Sequence, residues 1–199
     1  MPGMLPDDLS VPFQGPTLGW GHMIGALALP GRRRVAADLL LRAELEDLLT
    51  NLCWALDERR RDLLLDLLAE RFIWRGSIDG SHELGPVEGR DAFIEWQHRI
   101  WDADAGEQPR HLLLNTIHGG DPAYAPTTSS YVLLVTNRAE AHRSIASGFV
   151  TASYRWEDGG WRIASVFTGW DLPPWRRKLT EMTSRERRLR LVREKGIDD

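Results

Sequence analysis

The 199-residue chain has one cysteine, Cys53, so it cannot close an internal disulfide. That usage fits a reducing compartment, and a cytoplasmic protein is the expectation. Long apolar runs are also missing. No stretch approaches the roughly 20 apolar residues that cross a bilayer. The segment "MIGALALPG" follows Asp7 and Asp8 and is broken by glycine, so it reads as neither signal nor anchor. There is no phosphate-binding glycine loop, no dinucleotide fingerprint and no nucleophile elbow. His82, Glu83 and His98 match no metal-ligand spacing, so neither a metal nor another cofactor is expected.

Net charge is −4, which does not suit a protein that binds polyanions through bulk charge. The sign is uneven along the chain. Residues 175–199 hold nine Lys and Arg against five Asp and Glu, whereas residues 38–174 hold thirteen against twenty-two. Acidic residues interleave the basic tail, which fits a solvated or subunit-crossing helix better than a nucleic-acid or membrane contact. Attraction between acidic body and basic tail favours a homodimer or higher homo-oligomer.

Three regions follow from texture. Residues 1–35 are rich in Gly and Pro and read as an irregular arm: either a flexible leader, or a segment that wraps a partner subunit through Phe13, Leu18 and Trp20. Residues 36–172 alternate between helical and strand patterns. Within them, Leu41, Leu45, Leu48, Leu49, Leu52 and Leu56 recur at three- and four-residue spacing and predict a helix over 36–58. Short helices are predicted at 61–69 and 89–101, with a strand at "RFIWRGSI" and a turn-rich stretch at "IDGSHELGPVEGR" between them. Strands follow at 110–118, 127–137, 144–157 and 161–171, the last two joined by the hairpin signal "DGG". Gly148 suggests a bulge or kink. Residues 173–199 read as a basic helical extension, with Thr183 and Glu186 at capping-box spacing. Helices segregated from an antiparallel sheet define an α+β fold, whose curled sheet and three helices enclose a pocket.

Asp57 raises a chemical question. It ends the first long helix on the edge of the leucine stripe, where burial and the helix dipole both disfavour an anion. It needs a partner: either the Arg59–Arg60–Arg61 cluster or a histidine from the sheet. His111 opens the strand "RHLLLN", and alternation would put His111, Leu113, Asn115 and Ile117 on one face. A carboxylate that fixes an imidazole tautomer makes a proton-transfer pair. Among the many indoles, Trp74 and Trp96 suit a flat apolar ligand, as does Phe149 on the bent strand; Asn115 and Tyr131 complete the expected ligand contacts.

The segments "LCWALDERRRDLLLDLLAERFIW", "VEGRDAFIEW", "PRHLLLNTIHGG" and "ASYRWEDGGWRIASVFTGWD" resemble, in order, the nuclear transport factor 2-like superfamily and its SnoaL-like branch. The resemblance covers about residues 38–171 and implies a cone-shaped fold. It implies a catalytic Asp57–His111 pair like that of the dehydratase relatives. Those relatives carry two cavity-facing tyrosines where this chain holds Leu52 and the residues around Trp74–Gly76; Tyr131 or Tyr154 would have to substitute. Two functions are compatible with the resemblance. One is a cofactor-independent lyase, isomerase or cyclase acting by proton transfer on an apolar or polycyclic molecule. The other is a non-catalytic binding or accessory subunit, like the small subunits of ring-hydroxylating dioxygenases.

Overall fold

The computed structural model describes residues 18–27, 36–103, 108–138 and 141–171. A single helical turn, α1 (Trp20–Met23), precedes the long helix α2 (Ala36–Asp57), the short helix α3 (Arg61–Leu67) and the strand β1 (Leu68–Ile78). Then come β2 (His82–Glu88), α4 (Arg90–Ala103), β3 (Gln108–Asp121), β4 (Ala125–Arg138), β5 (Ala141–Glu157) and β6 (Gly160–Trp170). The strands form one six-stranded sheet in the order β2-β1-β6-β5-β4-β3. Four strand pairs are antiparallel; β1 and β6 run parallel, because the chain returns to the first strand only after building the rest of the sheet.

The leucine period explains α2. Leu45, Leu49 and Leu52 are 2%, 1% and 3% exposed, and with Leu64, Leu67, Phe72, Phe93 and Ile94 they meet Val150, Ala152, Tyr154 and Ile163 of the sheet. Each fully buried side chain of this size stabilises the fold by about 1.5–3 kcal/mol. Alternation therefore assigns the sheet two faces. Trp74, Val150, Ala152 and Val166 point to the helices, and Ile73, Phe149, Thr151 and Phe167 point away.

Several expectations change. The stretch read as turns holds β2, an edge strand on which Pro86 forfeits no ladder hydrogen bond that an inner neighbour would need. Gly148 is not the bulge: the β4–β5 register slips between Leu134 and Val135 instead. Glycine is required at 148 because a Cβ would stand 1.9 Å from the Gly169 carbonyl oxygen. The arm residues 18–27 lie on their own sheet. Trp20 is buried against Phe149, ring centroids 5.0 Å apart, and its Nε1 donates to Asp171 Oδ1 at 3.0 Å. Leu18 is 95% exposed. Phe13, Thr183 and Glu186 fall outside the described residues.

Candidate functional site

Asp57 is the last residue of α2 and is 5% exposed. Both its oxygens go to one residue. The His111 backbone N–H donates to Oδ2 at 2.9 Å, and the His111 ring Nδ1 lies 2.6 Å from Oδ1. A carboxylate only accepts, so Nδ1 carries the proton. The other nitrogen, Nε2, makes no hydrogen bond to the described residues, and in the neutral ring it carries the lone pair. The ring keeps 21% of its side-chain surface exposed, against 6% for the carboxylate. This is the orientation a general base requires: one nitrogen anchored, the other presented.

The local fold makes this contact. Arg59 adopts a positive φ of 55°, which ends the helix in a left-handed turn. The neighbouring arginines find other acids: Arg60 Nε donates to Asp62 Oδ1 at 2.8 Å, and Arg110 pairs with Glu58 at 2.8 Å. Gln108 Nε2 donates to the Asp57 carbonyl at 2.7 Å, and Trp101 Nε1 donates to the Leu56 carbonyl at 3.1 Å. These two donors satisfy carbonyls that a helix end leaves open, and they tie β3 and α4 to the carboxylate's own turn. Sequence reasoning missed both, since an amide or indole that caps a distant helix has no local pattern. One turn before Asp57, the buried Cys53 thiol is pushed up to about 12, first by burial and then by the Asp57 charge.

The proposed ligand contacts divide between the two faces. Trp74 and Trp96 lie on the helix side, centroids 4.4 Å apart, with Trp74 Nε1 donating to Thr168 Oγ1 at 3.3 Å. Leu134, directly across from His111, and Leu113, two residues along the same face, are only partly buried, as is Trp96. Apolar surface thus remains open beside the ring. Asn115 leaves that face. It has a φ of 54°, sits where the β3–β4 register breaks between Leu114 and Ile117, and is exposed. The bulge resets the alternation counted from His111. Tyr131 and Phe149 are paired with each other on the face away from the helices; Tyr131 is 56% exposed and Phe149 lies under Trp20. The structure therefore brings Asp57 and His111 into contact, with Trp74 and Trp96 on the same side of the sheet. It separates Asn115, Tyr131 and Phe149 from them.

No phenol joins the pair. All three tyrosines are described: Tyr124 is 84% exposed, Tyr131 faces the other way, and the buried Tyr154 hydroxyl donates to the Leu45 carbonyl at 3.1 Å and bonds Thr128 Oγ1 at 2.7 Å. Burial pushes the Tyr154 phenol far up, with the Glu46 and Cys53 charges adding to it. His118 meets Glu46 of α2 through Nε2 at 2.6 Å, with only 10% of its side chain exposed. His82 opens β2 and is exposed, with its Nδ1 beside Ser81 and Asp79 of the preceding turn. Among the described residues no cluster of three or more His, Cys, Asp or Glu could hold a metal ion, and no helix is long and apolar enough to cross a membrane.

This cone-like arrangement of a curved open sheet over three helices defines a class. The SnoaL-like domain matches residues 37–166, and the chain belongs to that family. Solved structures with the same fold include ActVI-ORFA from Streptomyces coelicolor, at 21% identity over 66% of this chain and 98% of that one, TM-score 0.56. A Catenulispora acidiphila structure in complex with S-DNPA is 22% identical over 72% of this chain and 99% of that one, TM-score 0.57. A chain from Novosphingobium aromaticivorans assigned as the beta subunit of an aromatic-ring-hydroxylating dioxygenase is 13% identical over 69% of this chain and 93% of that one, TM-score 0.58. No curated protein matches the chain.

Proposed function

We propose that the protein is a cofactor-independent lyase, isomerase or cyclase that moves a proton on a small apolar or polycyclic substrate. His111 Nε2 is the general base and, once charged, the general acid. Asp57 positions the ring. The observation that carries this reading is the 2.6 Å Nδ1–Oδ1 contact combined with an Nε2 that has no partner among the described residues. A carboxylate–imidazole base of this kind contributes about 10²–10⁴-fold to a proton abstraction. That range suits a substrate proton already made acidic by a neighbouring carbonyl. Leu113 and Leu134 supply apolar surface beside the ring, and Trp74 and Trp96 lie on the same side of the sheet. The Catenulispora complex, whose ligand is a small molecule, supports ligand binding by this kind of cone.

The tyrosine positions favour a second reading. With no phenol near His111 to polarise a carbonyl, the cone would act as a non-catalytic binding or accessory subunit, and the dioxygenase beta subunit offers a parallel. Native mass spectrometry of freshly purified protein, followed by deuterium uptake from solvent into whatever small molecule is retained, separates the two. Catalysis requires uptake that falls about 10²-fold or more in His111→Gln while the ligand is still held. Retained ligand with no exchange in the wild type establishes the binding subunit and refutes the enzyme.

A further inference from the structure

The sheet face turned away from the helices holds a depression of ≈ 290 Å³ lined by Ile73, Arg75, Thr151, Ser153, Ser165 and Phe167. Strand register arranges these six in two rows, Arg75–Phe167–Thr151 and Ile73–Ser165–Ser153. The hydroxyls are already engaged: Ser153 Oγ bonds Ser165 Oγ at 2.7 Å, and Thr151 Oγ1 donates to the Ala26 carbonyl at 2.6 Å. The floor is thus neutral, with the Phe167 ring and the Ile73 side chain as its apolar surface. Arg75 is the exception. It is exposed and pairs with no carboxylate among the described residues, although Glu88 stands across from its neighbour Ile73.

The charge around the groove points the same way. One row past the serines, Arg155 stands directly across from Arg162, and Arg155 reaches only Glu157, at 3.8 Å. Like charges opposite one another on a sheet repel. The body of the chain is strongly acidic, yet this face sets three arginines, Arg75, Arg155 and Arg162, against two acids, Glu88 and Glu157, around an apolar hollow. Such a patch raises the local concentration of small anions.

We propose that this depression is a second ligand site that takes a small, flat, aromatic carboxylate. Its ring lies against Phe167 and Ile73, and its carboxylate meets the Arg75 guanidinium, whose planar fork of N–H donors matches two carboxylate oxygens. Arg155 and Arg162 supply attraction at longer range. The site is chemically distinct from the pair on the helix side: it binds an anion and contains no general base.

The test is an NMR titration of the full chain with 1-naphthoate, using naphthalene-1-methanol as the uncharged control. Saturable shifts at Ile73, Thr151 and Ser165 are expected. They should weaken about tenfold in Arg75→Gln and for the alcohol, recover partly in Arg75→Lys, and persist in His111→Gln. Arg75 is exposed, so these variants keep the fold. Equal binding to Arg75→Gln, shifts confined to His111 and its neighbours, or no shifts up to about 10 mM probe would each overturn the proposal. So would a self-associated form whose contact covers Phe167 and excludes the probe.

Discussion

Replacing Asp57 by Asn should turn the His111 ring over chemically without moving it. The reason is the pair of bonds Asp57 makes. Oδ2 accepts from the His111 backbone N–H, a donor that cannot change character, while Oδ1 accepts from Nδ1. In the Asp57→Asn variant one oxygen becomes an NH₂. If the NH₂ faced the backbone N–H, two donors would meet, so the amide oxygen must take that side. The NH₂ then faces Nδ1, which must offer a lone pair, and the ring proton moves to Nε2. The presented nitrogen becomes a donor and ceases to be a base. Both bonds survive in neutral form, so stability should fall by only about 1–2 kcal/mol, whereas Asp57→Ala, which leaves both donors unmet, should cost about 3–4 kcal/mol. Proton-transfer activity of Asp57→Asn should fall about 10²–10⁴-fold, out of proportion to its loss of stability. Ring ¹⁵N shifts of His111 near pH 8 read the tautomer directly. A ring still protonated at Nδ1 in Asp57→Asn would refute the assignment of Asp57 as the group that sets it.

Three further outcomes are expected. Cys53 should resist iodoacetamide in the native protein and react after urea, because a thiol raised from 9.0 to about 12 carries little thiolate near pH 9; its burial contribution to stability is fully present below pH 9 and is lost between there and about 12, as the unfolded thiol ionises first. Gly148→Ala should lower the melting temperature by several degrees, since its Cβ would fall 1.9 Å from the Gly169 carbonyl oxygen in the sheet interior; an unchanged thermal midpoint would contradict that packing. Trp20→Ala should cost about 2–4 kcal/mol in a urea melt, whereas Leu18→Ala, at a site 95% exposed, should stay within about 0.5 kcal/mol.

The legibility of this chain follows the range of the forces involved. The leucine stripe of α2 and the hairpin at Asp158–Gly159 are local, and both are plain in the sequence. So is the awkward acid at position 57, because a buried carboxylate at a helix C-terminus is costly wherever it occurs. Its partner is not legible from the residues alone: the Arg59–Arg60–Arg61 cluster and His111 are both open, and only the family resemblance points to the histidine. Strand alternation places His111 and Leu113 on one face, and it holds for the first residues of β3. Alternation fails four residues later, where the bulge at Asn115 moves that side chain off the face shared by His111 and Leu113. Phe149 and Tyr131 were misplaced for a related reason. An apolar residue on a strand signals burial, but not which side of the sheet buries it; here the 18–27 segment covers Phe149 from the far side, a contact with no periodic signature.

The seam between α2 and β3 holds two acid–histidine contacts of equal length, and their difference supports the choice of site. Glu46 meets His118 and Asp57 meets His111, each at 2.6 Å. As interactions joining a helix to a strand the two are interchangeable. They differ in the nitrogen left over. On His118 the remaining Nδ1 is buried without a hydrogen-bond partner, sealed between the helix and the strand, where no substrate can reach it. On His111 the remaining nitrogen belongs to a ring that is 21% exposed, beside partly open leucine side chains. A clasp needs only the first kind. The acids differ as well: the Glu46 side chain is half exposed, whereas that of Asp57 is 6% exposed and spends both oxygens on one histidine. Burying a carboxylate this fully costs stability that a half-exposed one such as Glu46 avoids. If both pairs served only to hold α2 on β3, His118→Gln and His111→Gln should lower stability alike and leave ligand exchange untouched. Proton transfer at Nε2 requires that only the second abolish it.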